Sequence, residues 1–591
     1  MKLAMQYMLL RNRWPAAQAA EAIEVTLEEL ASVLDCTPRN VVLLLKRMGS
    51  EGWLEWLPKP GRGNRSALRL LLQAEALSIE IAQSLVRRHD LQGAFAHLEA
   101  AGVSDAGRAA FRTWLSDYFG YQTEWKNDKR TDSVRFPLRQ TIRSLDPAYT
   151  DYTSEAHLVS QIFDSLVRVE ERTQTVLPHL AHAWEPDEDG CGWTFYLRKG
   201  VLFHHGREMT ASDAAYSLER IRRLPLRTLY RWAYDAIERI SVIDANVLHI
   251  RLSTRNELFL PFLSTTRAAI VPEDIVEADP DSFARMPVGS GPFKMIRNDG
   301  NIHVLEANPF YFQGRAHLDR VEIWSLPDMA ETDPLNRFQI IHNVRLPEQQ
   351  ADTWNEVRQQ GLTVKFLTFN SLNQGALADP AVRRYVHEAV NRGQLIQALA
   401  GDVISLAHSF VSDAASADAF QSYDEFSNDK KRINERQSLE LCTIEPYESD
   451  AKLLRQLYLE AGIDLSITIL PVKEFKGERR LRADLLLFAV MLDNDAELRL
   501  TDLYHSMLRH LDPNLSNQVK LMLESIMQEP SPLRRRERFI QIERLLIGHH
   551  ALLFLYKKQL KTAFHPSVKG ISLDSLGWVQ FKDIWFGRPR D

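Results

Sequence analysis

Arg39 and Asn40 stand side by side in the run TPRNVVLLLKRM, and both are side chains suited to reading nucleic-acid bases. Arginine can donate two parallel hydrogen bonds to the O6 and N7 edge of guanine, and asparagine can pair in the same two-point manner with adenine. Lys46 and Arg47 follow at the far end of the run, where cations are better placed for phosphate oxygens. A second basic group comes soon after in PKPGRGNRS, with Lys59, Arg62, Asn64 and Arg65 around Gly61 and Gly63. From Cys36 to Leu72 the cations are Arg39, Lys46, Arg47, Lys59, Arg62, Arg65 and Arg69, against Glu51 and Glu55. The tip has no carboxylate near it in sequence, so this stretch is positive in a chain of net charge -6. A basic run alone is a weak signal, because a charged hairpin tip is ordinarily just solvated.

Its position gives it weight. Met1 to about Leu10 has the apolar density of a buried helix. In TLEELASVL, Thr26 and Glu29 have capping-box spacing, and Leu27, Leu30, Ala31 and Leu34 share one helical face. After a short turn, Thr37 can cap a second helix with Pro38 in its first turn, and Gly49 and Gly52 are expected to end it. Two apolar runs, Trp53–Leu57 and Ala67–Leu71, flank the glycine hinge as a hairpin. A tight helix pair followed by such a hairpin is a winged helix-turn-helix, whose second helix presents its N-terminal side chains to the major groove. Thr37, Arg39, Asn40, Lys46, Arg47, Lys59, Arg62, Asn64 and Arg65 are therefore the candidate DNA-binding residues. The rival within this domain is a winged helix that binds protein.

Beyond Ala74 the pattern stays helical to about Trp125, with Leu77, Ile81, Leu85, Leu91, Phe95 and Leu98, then Phe111, Leu115 and Phe119, forming apolar stripes. Such stripes are packing faces far more often than ligand boxes. The polar stretch Thr123–Asp132 is the preferred boundary. Three regions result: residues 1–72 as the DNA-binding domain, 73–130 as a helical connector and 131–591 as a large α/β domain.

A chain of 591 residues is too long for one ordinary core, and 45% apolar with 25% charged residues is the composition of a water-soluble globular protein. Cys36, Cys191 and Cys442 are far apart and show no C-x-x-C, which leaves neither a disulfide framework nor zinc spacing. Arg11 and Arg13 interrupt the first apolar run too early for a secretory signal, so a cytoplasmic location is expected, with no membrane association. No phosphate-loop motif and no G-x-S-x-G elbow appears. His204 and His205 are adjacent on an expected strand, pointing to opposite faces, and His549 and His550 lack an H-E-x-x-H frame. Neither a catalytic site nor a cofactor or metal site is expected.

The segment LPHLAHAWEPDEDGCGWTFYLRKGVLFHHGREMTASDAAYSLERI, Leu177 to Ile221, closely resembles the signature region of the family 5 extracellular solute-binding proteins. PVGSGPFKMIR, LEANPFYFQGRAHLDRVEIWSLPD and the closing FHPSVKGISLDSLGWVQFKDIWF extend the resemblance over roughly Thr131 to Phe586. It implies two α/β lobes around a ligand cleft, of the type II, cluster C periplasmic-binding-protein class. With a winged helix in front, the whole is similar to the SgrR family of bacterial transcriptional regulators. That architecture implies promoter DNA as one partner and a small-molecule effector as another, with sugar phosphates, sugars or peptides as the classes and RNA polymerase as a further contact.

The resemblance also places cleft candidates. In the family's receptors a second-lobe loop with an Asp, aromatic, Asp-Pro pattern lies near the ligand amine; here that region is MLDNDAELRL, which offers Asp493 and Asp495 but lacks the Pro and the Trp. ISLAHSFVSD matches another second-lobe segment and nominates His408 and Phe410. In the first lobe DPAYTDYTS offers Tyr149, Thr153 and Ser154. An ordinary packing or loop role competes at each position. The competing reading of the whole chain is a transport receptor for peptides or another solute, with a front domain not used for DNA.

Overall fold

The computed structural model describes residues 2–14, 21–59, 64–126, 128–138, 141–150, 152–170, 173–224, 229–326, 340–342, 355–372, 375–399, 404–411, 437–492, 495–564, 568–571 and 579–586. Two compact units divide the chain, one built on Met1–Gly120 and the other on Tyr121–Ser325 with Gln339–Asp591.

In the first unit, α1 (Lys2–Arg13) buries Ala4, Tyr7 and Leu10, and β1 (Ala22–Val25) leads into α2 (Leu27–Val33). Thr26 and Glu29 cap α2 reciprocally, as their spacing predicts: Glu29 N–H donates to Thr26 Oγ1 at 3.1 Å and Thr26 N–H to Glu29 Oε2 at 2.9 Å. Thr37 caps α3 (Pro38–Ser50), which turns Val41, Leu44, Leu45 and Met48 inward. Gly49 lies inside this helix and does not end it; the exit falls to Gly52, whose φ of 74° suits glycine. β2 (Leu54–Leu57) and β3 (Ser66–Leu70) form the hairpin, and β1 adds to its far edge in the antiparallel order β1-β3-β2.

The first helix fastens this sheet. Buried Arg11 donates to the Leu72 carbonyl at 3.0 Å and the Leu70 carbonyl at 3.1 Å, while the Tyr7 hydroxyl lies 2.8 Å from Leu72 O and accepts Leu72 N–H at 3.1 Å. Backbone groups at the end of β3 are thereby satisfied away from water. Three helices follow, α4 (Ala74–Arg87), α5 (Leu91–Ala100) and α6 (Asp105–Tyr118). Leu77 and Ile81 of α4 join the winged-helix core. The helical pattern expected as far as Trp125 ends earlier. Gly120–Lys126 is a strand, and Thr123–Asp132, the stretch chosen as the boundary, lies in the hairpin it makes with Lys129–Leu138. Alternate Tyr121, Thr123 and Trp125 favour the pleated conformation over another helical turn.

The second unit has three main sheets. A five-stranded sheet runs Phe293–Asn298, Ile302–Ala307, Arg320–Ser325, Lys129–Leu138, Gly120–Lys126, and a four-stranded antiparallel sheet contains Ala181–Pro186, Gly192–Leu197, Ile237–Asp244 and Val247–Leu252. A mixed seven-stranded sheet is centred on Asn355–Phe369 and Leu485–Leu492, with apolar clusters of helices and strands packed against it. The PVGSGPF turn has a steric reason. A Cβ on Gly289 would stand 2.0 Å from Ile162 O, and one on Gly291 2.5 Å from Ile162 C, so only glycine lets the turn meet the end of the helix Thr153–Ile162. His204 and His205 lie in a turn, not on a strand. His204 Nε2 is 3.0 Å from Gly291 O, while His205 faces Asp274 at 3.3 Å, so the two rings do diverge.

Candidate nucleic-acid interface and candidate solute site

α3 positions the first group of candidates. Thr37 spends its hydroxyl on the Asn40 N–H at 3.4 Å, which orients the first turn and leaves Thr37 Oγ1 engaged with its own helix. Because the apolar stripe faces the core, Arg39, Asn40, Lys46 and Arg47 all fall on the exposed side. None of the ion pairs among the described residues uses Arg39, Lys46 or Arg47. The helix therefore presents an arginine and an asparagine at its start and two cations further along.

The wing differs from expectation. Its cations do have carboxylates, brought by elements distant in sequence. Lys59 Nζ lies 3.7 Å from Glu24 Oε1 of β1, Arg65 lies 3.0 Å from Glu29 Oε1 of α2, and Arg65 also donates to the Glu24 carbonyl at 3.1 Å. Arg69 and Glu55 pair across the hairpin at 3.1 Å. These pairs are exposed, so each is worth little and is weakened by salt. Asn64 is exposed at the end of the loop, and Arg62 lies outside the described residues.

In the second unit the Asp146–Thr150 loop is held by two arginines that the sequence did not single out. Arg220 donates to both Asp146 oxygens, one at 3.0 Å, and buried Arg267 reaches the carbonyls of Pro147 at 3.2 Å, Ala148 at 3.3 Å and Thr150. Tyr149 projects from this loop with 43% of its surface exposed. Thr153 is exposed at the start of the next helix, whereas Ser154 is buried in its first turn. Nearby, buried Asp164 accepts from Ser290 at 2.7 Å and Tyr311 at 2.9 Å and contacts His179 Nε2 at 2.9 Å. Burial would raise this carboxyl, but those partners outweigh it and hold Asp164 below the ordinary value.

Of the second-lobe candidates, His408 is half-buried and Phe410 faces the core, with ring centroids 4.6 Å from Phe554 and 5.1 Å from Phe366. Glu543 anchors this loop by accepting from Ser409 Oγ at 2.6 Å and Phe410 N–H at 3.0 Å. Burial pushes its carboxyl up to about 7 despite those two bonds.

Asp493 lies outside the described residues, and Asp495 is engaged within the protein. It accepts from Arg499 Nε at 3.0 Å and from the Tyr230 hydroxyl at 2.8 Å. Tyr230 is 2% exposed and has a left-handed φ of 62°; its N–H donates to Asp502 at 2.7 Å. Tyr230 thus ties the part carrying the four-stranded sheet to the helix Ala496–Met507 beside the seven-stranded sheet. Nothing in the sequence around LYRW announces that role, since it depends on a contact between residues about 270 positions apart.

No group of three or more His, Cys, Asp and Glu side chains among the described residues could hold a metal ion, and no described helix is long and apolar enough to cross a membrane.

Comparison with known proteins agrees with this architecture. Residues 2–123 match the family described as sugar transport-related sRNA regulator N-term, and residues 175–511 match bacterial extracellular solute-binding proteins, family 5 Middle. The chain is 28% identical over 597 residues to Bacillus subtilis "Uncharacterized protein YhjP", covering 100% of both. It is 27% identical over 603 residues to the "HTH-type transcriptional regulator SgrR" of Photorhabdus laumondii, covering 97% of each. In fold it is similar to the periplasmic binding protein DppA of Helicobacter pylori in complex with peptide STSA, at a TM-score of 0.63 and 18% identity over 77% of this chain and 98% of that one. The winged helix, the helices behind it and the two-lobed α/β domain make a chain that belongs to the family 5 bacterial extracellular solute-binding proteins, carried behind an SgrR-type N-terminal region.

Proposed function

We propose that the chain is a solute-responsive transcriptional regulator acting in the cytoplasm, with α3 in the DNA major groove and a small effector bound by the two-lobed domain. The observation that carries this reading is the exposed Arg39–Asn40 pair, followed by unneutralised Lys46 and Arg47, on the second helix of a winged helix fused to a solute-binding fold. Arg39 and Asn40 would read base edges, and Lys46, Arg47 and the wing residues Lys59, Arg62, Asn64 and Arg65 would meet phosphate or the minor groove. Residues 1–72 serve as the DNA-binding domain, the helices Ala74–Tyr118 as the connector and the unit from Tyr121 onward as the sensor. RNA polymerase is the partner through which bound effector would be read out, and the chain performs no catalysis of its own.

The state of Asp495 bears on the effector. A peptide amine seeking that carboxylate would share it with Arg499 and Tyr230, which both bond Oδ2. This counts against a peptide held by its amine at Asp495, and Tyr149, Thr153, Ser154 and His408 are the side chains to probe with sugars, sugar phosphates and peptides.

The test is fluorescence anisotropy of the full chain with duplexes selected from a random pool, repeated with sugars, sugar phosphates and short peptides. Sequence-selective binding that one solute class changes is the expected result. A chain that selects no sequence cannot be this regulator. Transport-receptor behaviour, with solute binding and no DNA binding, would replace the reading with its alternative.

A further inference from the structure

The DNA-facing side of α3 is not uniformly polar. Leu43 is 56% exposed and Val42 45% exposed, next to each other in the second turn of the helix. A single exposed aliphatic side chain needs no explanation. Here two adjacent ones occupy the centre of a helix face. The buried stripe of Val41, Leu44, Leu45 and Met48 fixes that face, because Arg39, Leu43, Lys46 and Ser50 recur on the opposite side at intervals of three and four residues. Leu43 sits one turn beyond Arg39 and three residues before Lys46 on the same face, and Val42 flanks it. Local folding gives no reason for the choice: a β-branched valine is a poorer helix former than lysine or glutamate at an exposed position.

The partner that fits this face must be negative at its edges and offer small apolar points at its centre. The major groove is such a surface, with phosphates along both walls and the C5-methyl of thymine as the apolar group on the base edges. An apolar groove on a protein fits less well, since Arg39, Lys46 and Arg47 would enter it with no carboxylate partner among the described ion pairs.

We propose that Leu43 and Val42 read thymine methyl groups, so that the binding site holds at least one thymine beside the base read by Arg39. This rests on the DNA-binding reading of α3. Four residues of helix advance about 6 Å and one base step about 3.4 Å, which places the thymine about one to two steps from the base opposite Arg39. Arginine then supplies polar selectivity at one position and the aliphatic pair supplies methyl selectivity at the next.

The test leaves the protein unaltered in its first arm. The preferred duplex selected by the full chain is resynthesised with each thymine replaced in turn by deoxyuridine, which lacks only the methyl, and affinities are compared at fixed salt. Replacement at one or two positions is expected to weaken binding about threefold to fivefold each, the range for one buried methyl-sized group. Replacement elsewhere should change nothing. In the second arm Leu43→Ala and Val42→Ala, both at exposed positions, should lose this discrimination while keeping the preference that Arg39→Ala removes. Selective binding indifferent to every deoxyuridine would overturn the methyl reading and leave the regulator standing. Variants that keep full discrimination would overturn the assignment to these residues. Loss of self-association or of a protein partner in Leu43→Ala, with DNA selectivity unchanged, would overturn it in favour of a protein contact. A chain with no sequence selectivity at all would overturn this proposal and the function together.

Discussion

Arg39 and Lys46 lie on the same exposed helix face but should fail differently when removed. Arg39→Ala is expected to cost about 1–3 kcal/mol on the preferred duplex and to relax preference at one base, if it pairs with guanine. Lys46→Ala should weaken all sequences alike and reduce the salt slope by about one; anisotropy titrations at several salt concentrations separate the two patterns. The face itself was legible, because Thr37, Pro38 and the apolar spacing fix which side of α3 is exposed. The pairing of Arg65 with Glu29 was not, because the sheet and helix contacts that join them cross 36 residues. A second residue-scale prediction concerns acid. Burial lowers His204, His303, His387 and His505 to about 4 and His510 to about 3, so the folded protein keeps them neutral where the unfolded chain would protonate them. Their stability is present above about pH 6.5 and is lost as pH falls toward those values. Glu543, raised to about 7, acts in the opposite sense, since its contribution is lost as pH rises through that value. Five histidines against Glu543 and the burial-raised carboxyls of Asp484 and Asp502 should make the melting temperature fall between pH 7 and pH 5, and Glu543→Gln should steepen the fall. A melting temperature flat across that range would contradict the assignment.

Among the elements, α1 matters most to the wing. Arg11→Ala would remove donors from the carbonyls of Leu70 and Leu72 and is expected to cost about 2 kcal/mol, seen as earlier thermal unfolding of the first unit. An unchanged melting curve would mean that α1 packs on the sheet without fastening it. The helix was plain from apolar density, but its job was not, since a buried arginine looks like any surface cation until its acceptors are known. β1 was missed for a related reason. AIEV is too short for alternation to stand out, and pairing with β3 is what makes it a strand. Its opposite is the PVGSGPF turn, which the sequence marked clearly. Gly289→Ala would push a methyl into the Ile162 carbonyl and should destabilise the second unit by about 3 kcal/mol or more. Wild-type expression and melting in that variant would show that the helix end can give way.

For the whole chain, any coupling between DNA binding and effector binding must be reciprocal. If an effector tightens DNA binding by some factor, DNA must tighten effector binding by the same factor; calorimetric titration of the effector with and without the selected duplex measures it. Equal affinities would confine any effector response to steps after DNA binding. The two-lobed architecture was readable from long family-like segments such as Leu177–Ile221, whereas long-range contacts such as that of Tyr230 with Asp495 were not, because they join chain regions hundreds of residues apart. One feature of the wing also bears on how such a protein would find its target in a genome. Lys59, Arg65 and Arg69 stand beside Glu24, Glu29 and Glu55, and the chain as a whole is negative. In a DNA reader of this kind, wing cations shared with carboxylates reduce indiscriminate adhesion to phosphate, so fewer copies are sequestered on irrelevant sequence than with an unpaired wing. Its cost is a slower search by sliding, and its benefit is that a small cellular supply of the protein remains free to occupy the right site.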